Sequence, residues 1–176
     1  MRVISGTARG RKLVTPDGLD VRPTLDRVKE SVFSALLPYL QEAVVLDLFS
    51  GSGSLGIEAL SRGSARCDFV DSSRRSVQAT KDNLKATRLS DNASVHFSDW
   101  KSYLISCNTK YDLVFLDPPY TKGIEDEVMK ILAKNLDDNG VVVLETEIVP
   151  DSFLGFEVIR QAKYGRVYVT FYKKIL

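Results

Sequence analysis

The chain has 176 residues, 44% of them hydrophobic, which suits one domain with a real core. Lys and Arg total 24 against 23 Asp and Glu, so net charge by itself gives no argument for a polyanionic partner. The absence of an apolar leader, and of any apolar run near 18 residues, argues against export and membrane insertion and for a cytoplasmic protein.

Charge is unevenly spread. Residues 1–12 carry Arg2, Arg9, Arg11 and Lys12 with no acid, a local balance of about +4 that suits either a solvated tail or nucleic-acid contact. The same stretch, "MRVISGTARGRKLVTP", alternates apolar residues around a glycine turn and predicts a small hairpin. In "PTLDRVKESVFSALLPYL", Leu25, Val28, Val32, Leu36 and Leu40 recur at helical spacing; Thr24 is a candidate N-cap, and Pro38 should end or kink the helix.

From residue 44 strands and helices alternate. "VVLDLF" is the continuous apolar run of a strand buried on both faces. "SLGIEALSR" is helical, with Gly63 as its C′ residue, "ARCDFVD" is a second strand, and residues 74–87 form an amphipathic helix. "ASVHFS" is a third strand, followed by a short helix over 100–105, and "YDLVFL" is a fourth strand. A helix over 124–136, an Asn-Gly turn and the strand "VVVLETE" come next. The chain closes on two strand-like runs joined at Tyr164-Gly165, an antiparallel hairpin. The alternation predicts an α/β fold, a parallel sheet with helices on both faces whose ligands bind at the carboxyl ends of the strands. Cys67 and Cys107 lack CxxC spacing and His96 lacks a histidine partner, so no metal site and no disulfide are expected.

The turn after the first strand, "LDLFSGSGSLGIEAL", sets Gly51, Gly53 and Gly56 in GxGxxG spacing between a strand and a helix. Such glycines permit tight turning and close approach of a nucleotide-like ligand, or serve packing alone. Three acids narrow the choice. Asp47 lies inside the first strand, where a carboxylate can hold a cationic group. Asp71, 18 residues after Gly53, ends the second strand and can accept from two ribose hydroxyls. Asp99 follows the third strand, with Trp100 beside it, and can accept from an adenine amino group. A cofactor with adenine, ribose and a cationic tail fits this set better than one with a pyrophosphate.

"VLDLFSGSG" resembles motif I of the class I S-adenosylmethionine-dependent methyltransferases, and "FVD" resembles their ribose-binding acid. The resemblance implies Asp47, Phe49, Gly51, Gly53, Asp71 and Asp99 as contacts of S-adenosylmethionine. It also implies a Rossmann-like, seven-stranded, mostly parallel sheet with an antiparallel last strand. "DPPY", Asp117 to Tyr120, then acquires a chemical meaning. An exocyclic amine conjugated to a ring is a poor nucleophile, and two acceptors on its N–H groups can redirect its lone pair. The Asp117 carboxylate and the Pro118 carbonyl supply such acceptors, Pro119 stiffens the segment, and Tyr120 offers a stacking face. A capped Pro-Pro turn is the plain structural reading of the same four residues. The (D/N)PP(Y/F) pattern is similar to that of methyltransferases acting on adenine N6, guanine N2 and cytosine N4.

"RVISGTARGRKL" and "RPTLDRVKESVF" resemble the opening of the bacterial RsmD family, and with "LDLFSGSGSLGIEALSRG" and "VFLDPPY" the likeness spans essentially the whole chain. It implies S-adenosylmethionine-dependent methylation of guanine N2 in 16S ribosomal RNA, at guanine 966, on the small ribosomal subunit or an assembly intermediate. It further implies that Arg9, Arg11, Lys12, Arg22 and Arg27 meet phosphates, although Asp26 and Arg27 could equally form an internal pair. Ser73 stands where members of the family often carry an acid. The expected organisation is a monomeric single domain over 1–176, with a basic extension (1–42) before the catalytic core (43–176). Adenine-N6 methylation of RNA or DNA, N-methylation of a protein or small amine, and nucleotide binding without catalysis share parts of the pattern.

Overall fold

The computed structural model describes residues 1–16, 23–119, 123–149 and 152–175, with only the backbone described for 23–25. Arg22 and Tyr120 therefore lie outside the described residues, as does the Thr24 side chain. Helix α1 (Pro23–Leu40) precedes β1 (Val44–Leu48), α2 (Ser54–Ser61), β2 (Arg66–Asp71), α3 (Arg74–Thr87) and β3 (Ala93–Phe97). Then come α4 (Trp100–Ser106), β4 (Tyr111–Leu116), α5 (Ile124–Leu132), β5 (Leu136–Thr146), β6 (Phe156–Tyr164) and β7 (Val167–Lys174).

The seven strands form one sheet in the order β3-β2-β1-β4-β5-β7-β6. β1 to β5 pair in parallel, and β7 runs antiparallel to both β5 and β6. The order reverses between β1 and β4, which opens a crevice at their carboxyl ends. Central strands are buried on both sides, so each face has its own core. Val45, Leu113, Phe115, Val141, Val143 and Phe171 meet α1 and α2 on one face; Leu46, Leu48, Val114, Leu116, Val142 and Leu144 meet α4 and α5 on the other.

Several local expectations are corrected. α1 starts at Pro23, where a missing N–H costs nothing, so Thr24 lies inside the first turn rather than at the cap. Pro38 does not end α1, which runs on to Leu40. A proline so near the end sacrifices about one hydrogen bond, and buried Leu36 and Leu40 hold the last turn. α5 stops at Leu132 rather than 136. Asn135 leaves the helix because its amide group donates to the Cys107 carbonyl at 2.8 Å and its own carbonyl accepts from Tyr111 N–H at 2.8 Å. Asn139-Gly140 is not a turn before β5 but lies within it, in an irregular stretch between the Tyr111–Leu136 and Leu113–Val141 pairs. The closing hairpin turns on Gly165-Arg166, since Tyr164 still pairs with Val167.

The N-terminal segment makes a single antiparallel bridge, Arg2 with Lys12, in place of a regular hairpin. Its anchors are side chains of the body. Glu58, fully buried in α2, accepts from the backbone N–H groups of Ile4 (2.9 Å) and Ser5 (3.0 Å) and pairs with Arg62 (2.8 Å) and Lys29 (3.1 Å). Ser61 Oγ accepts from Ala8 N–H and donates to the Ser5 carbonyl, and Asn83 bonds both backbone groups of Val14. Val3, Ala8 and Leu13 enter the same core as α1 and β1. Among the described residues no helix is long and apolar enough to cross a membrane.

Candidate active site

The turn after β1 is shaped by backbone geometry that few residues tolerate. Phe49 and Gly51 take φ values of 67° and 55°, and Gly53 caps α2 at 75°. A non-glycine residue in the left-handed region carries strain of roughly 1–2 kcal/mol, an observation that often marks a functional turn. The three glycines differ in purpose. A Cβ on Gly51 would meet nothing within 4 Å, so its backbone faces open space, whereas one on Gly56 would sit 2.4 Å from the Phe69 ring. Gly51 thus leaves bare backbone on the cavity wall, and Gly56 lets α2 lie close on β2.

Below the turn, Asp47 is 3% exposed, and its Oδ2 accepts from Gly56 N–H at 2.9 Å. Burial pushes its carboxyl up to about 7; the Gly56 hydrogen bond opposes this, and the nearby acids Asp117 and Asp71 add to it. Asp71 takes part in the same loop: its Oδ2 accepts from Gly51 N–H at 2.9 Å and its Oδ1 from Ser73 N–H at 2.8 Å. Ser73 itself caps α3 by accepting from Ser76 N–H, so a serine performs the local structural task at the position of the family's frequent acid.

A cavity of about 320 Å³ opens at the β1–β4 crevice. Asp47, Phe49, Ser50 and Gly51 line it from β1 and its turn, Leu116 and Asp117 from β4, and Glu145 from β5. Asp117 stays open to solvent, yet protein crowding around its carboxyl group costs it hydration and raises it to about 6. Pro118 is buried behind it and Pro119 is exposed. Asp71, Gly53, Asp99, Trp100 and both prolines are not part of the cavity wall. Asp71 reaches it through Gly51, and the Asp71 carbonyl accepts from Ser98 N–H at 3.1 Å, which ties the Asp99 turn alongside. Asp99 caps α4, accepting from Ser102 N–H at 2.9 Å, and these backbone donors hold its carboxyl below the usual range. Trp100 is half-buried at the start of the same helix.

S-adenosylmethionine fits this donor set. Ser50 Oγ is buried on the cavity wall without a hydrogen-bond partner among the described residues. Gly51 presents bare backbone, Asp47 retains an oxygen for a cation, and Asp71 stands at the end of β2 where ribose hydroxyls would lie. Sequence reasoning missed Ser50, Lys29 and Glu145 on this wall. Lys29 is committed to structure: its ammonium donates to the Arg2 carbonyl (2.7 Å) and Ser54 Oγ (3.1 Å) and pairs with Glu58, while burial lowers its pKa. Glu145 carried a readable signal, an acid ending an apolar strand as Asp71 and Asp117 do.

Arg9, Arg11, Lys12 and Arg27 are all exposed. Asp26 is paired with Arg2 at 3.1 Å instead of with Arg27, so Arg27 has no structural claim from that acid. Among the described residues no group of His, Cys, Asp and Glu could hold a metal ion.

The family model described as conserved hypothetical protein 95 matches residues 1–173. Ribosomal RNA small subunit methyltransferase D of Escherichia coli strain K12 is 37% identical, over 99% of this chain and 90% of its own length. Its namesake from Haemophilus influenzae is 37% identical over 84% of this chain and 79% of its own. The solved structure of yhhF from Escherichia coli superposes with a TM-score of 0.87 at 34% identity, covering 99% of this chain and 97% of that one. Over nearly its whole length, with the same fold and a cavity at the β1–β4 crevice, the chain belongs to the RsmD family of ribosomal RNA methyltransferases.

Proposed function

We propose that the protein methylates the exocyclic N2 amine of a guanine in 16S ribosomal RNA, guanine 966, within the small subunit or an assembly intermediate. The observation that carries the reading is the position of Asp117 at the carboxyl end of β4, beside β1 and on the same cavity as Asp47 and Gly51, with Pro118 and Pro119 following it directly in the chain. S-adenosylmethionine, when bound, supplies an electrophilic methyl group that the amine takes up as its carbon–sulfur bond breaks. Asp47 would hold the cofactor's ammonium, Ser50 and Gly51 its polar edge, and Asp71 its ribose. Asp99 and Trp100 would contact its adenine.

Asp117 has two tasks. Its carboxylate accepts one amine N–H while the Pro118 carbonyl accepts the other, which turns the nitrogen lone pair out of conjugation. It then stabilises the positive charge that develops on nitrogen and can take the proton released. Its raised pKa makes it a better base near neutrality than an ordinary aspartate. Tyr120 would stack on the extruded base. Arg9, Arg11, Lys12, Arg22 and Arg27 would meet phosphates at the mouth, and the anchored N-terminal segment supports this by presenting its cations on a fixed frame. We further propose that the chain acts as a monomer in the cytoplasm and that 1–42 serves the core over 43–176 as its RNA-facing part.

The test offers tritiated S-adenosylmethionine with unmodified 16S RNA, partly assembled small subunits and duplex DNA, and identifies the labelled nucleoside by mass spectrometry. N2-methylguanosine from the ribosomal substrate is expected. N6-methyladenine would retain the strand-end chemistry and overturn the base assignment.

A further inference from the structure

Glu145 lies near the end of β5 and lines the cavity, yet its carboxylate makes no hydrogen bond or ion pair among the described residues. Parallel register pairs Leu116 of β4 with Leu144 of β5, so Asp117 and Glu145 occupy the next positions on adjacent strands. Both lie two residues beyond the paired Phe115 and Val143 and extend that row. The wall beside Glu145 is largely apolar and aromatic, with Val167, Val169 and Tyr164, and Tyr164 is fixed by a 2.7 Å hydrogen bond to Ser31. Burial there, reinforced by the charge of Asp117, pushes the Glu145 carboxyl up to about 7. An acid in this setting is costly unless a ligand supplies a donor, and none comes from the described residues.

We infer that Glu145 accepts the ring N1–H of the target guanine while Asp117 and the Pro118 carbonyl hold its N2 amine, so that the two strand-end carboxylates together set base specificity. The inference rests on the guanine-N2 reading above. Guanine alone among the bases with an exocyclic amine carries a ring N–H beside that amine. Adenine at N1, cytosine at N3 and 2-aminopurine at N1 all present a lone pair instead. A carboxylate facing a lone pair is both repelled and left unsatisfied, which is how a polar site rejects a close analogue. Asp117 activates any amine; Glu145 selects the one flanked by a donor.

The experiment uses small subunits reconstituted with guanine or 2-aminopurine at the target position, and compares wild type with Glu145→Gln and Glu145→Ala. 2-Aminopurine keeps the reacting amine and loses only the N1–H and the 6-oxygen. At pH 8, where the Glu145 carboxyl is mostly ionised and cannot donate to a ring lone pair, wild type should prefer guanine strongly in kcat/KM. Glu145→Gln can turn its amide N–H to the ring nitrogen, and it should shrink that preference by at least about tenfold. Glu145→Ala should lose turnover on guanine while S-adenosylmethionine affinity, measured by calorimetry, stays within about twofold of wild type. Wild-type formation of N2-methylguanosine with an unchanged guanine preference in both variants would overturn the role of Glu145 alone. A wild-type product other than N2-methylguanosine would overturn the guanine reading itself, and the inference with it.

Discussion

Replacing Asp47 by Asn keeps an acceptor for Gly56 N–H and removes the buried ionisable group. Burial raises the folded carboxyl to about 7 from an ordinary 3.8. Between these values the folded state holds a proton that the unfolded state has released, so wild-type stability falls as pH rises through this window and levels off above it. Each pH unit within the window is worth about 1.4 kcal/mol, about 4 kcal/mol across all of it. At pH 5 the group already carries roughly 1.2 pK units of this penalty, and at pH 8 roughly 3.2. The stability difference between Asp47→Asn and wild type should therefore move by about 3 kcal/mol in favour of the variant from pH 5 to pH 8. Asp117 and Glu145, whose carboxyls are also raised, are present in both proteins and largely cancel. Urea unfolding of both proteins at the two pH values measures the shift. Cofactor affinity at pH 8, measured in parallel, should fall in the variant because it lacks the charge proposed to hold the ammonium. A stability difference that does not change with pH would mean that Asp47 carries no burial penalty, and would remove its selection as the cation site.

Asp117→Ala should lower turnover by about 10²-fold or more while S-adenosylmethionine binding is kept, as single-turnover rates and calorimetry would show. The rate of wild type should fall on the acid side of about pH 6 to 7, where Asp117 and its neighbour Glu145 gain a shared proton; a flat profile down to pH 5 would exclude the carboxylate as acceptor. Asp71→Ala should weaken cofactor binding and also loosen the turn at Gly51, and normal affinity would refute the ribose assignment. Glu58→Ala leaves Lys29 and Arg62 without their buried partner and frees the N–H groups of Ile4 and Ser5, so unfolding should cost about 3–5 kcal/mol less. Charge reversal at Arg9 and Arg11 should weaken RNA binding and flatten its salt dependence, with unchanged unfolding because both side chains are exposed.

Much of the fold was legible locally because periodicity reports which face of an element is buried. The apolar runs of β1 and β4 and the 74–87 helix needed no partner to be recognised, and the glycine turn announced itself by residue type. The misread places share a cause. Pro38 and Asn139-Gly140 carry breaker signals that long-range packing overrides, since buried Leu40 and the pairing with β4 outweigh one lost hydrogen bond or a bulge. The basic N-terminal stretch read as a tail or hairpin because Glu58 and Asn83, which hold it, lie more than fifty residues away.

The sequence by itself determined the element types, the glycine turn after β1, and the acids in or just beyond β1, β2, β3 and β4. Only the tertiary structure decided which of those acids share a cavity. The strand order sets β1, β4 and β5 side by side, and so brings Asp47, Asp117 and the unread Glu145 to one wall. Adjacency of this kind comes from the packing of distant segments, on which the local pattern of any one strand is silent.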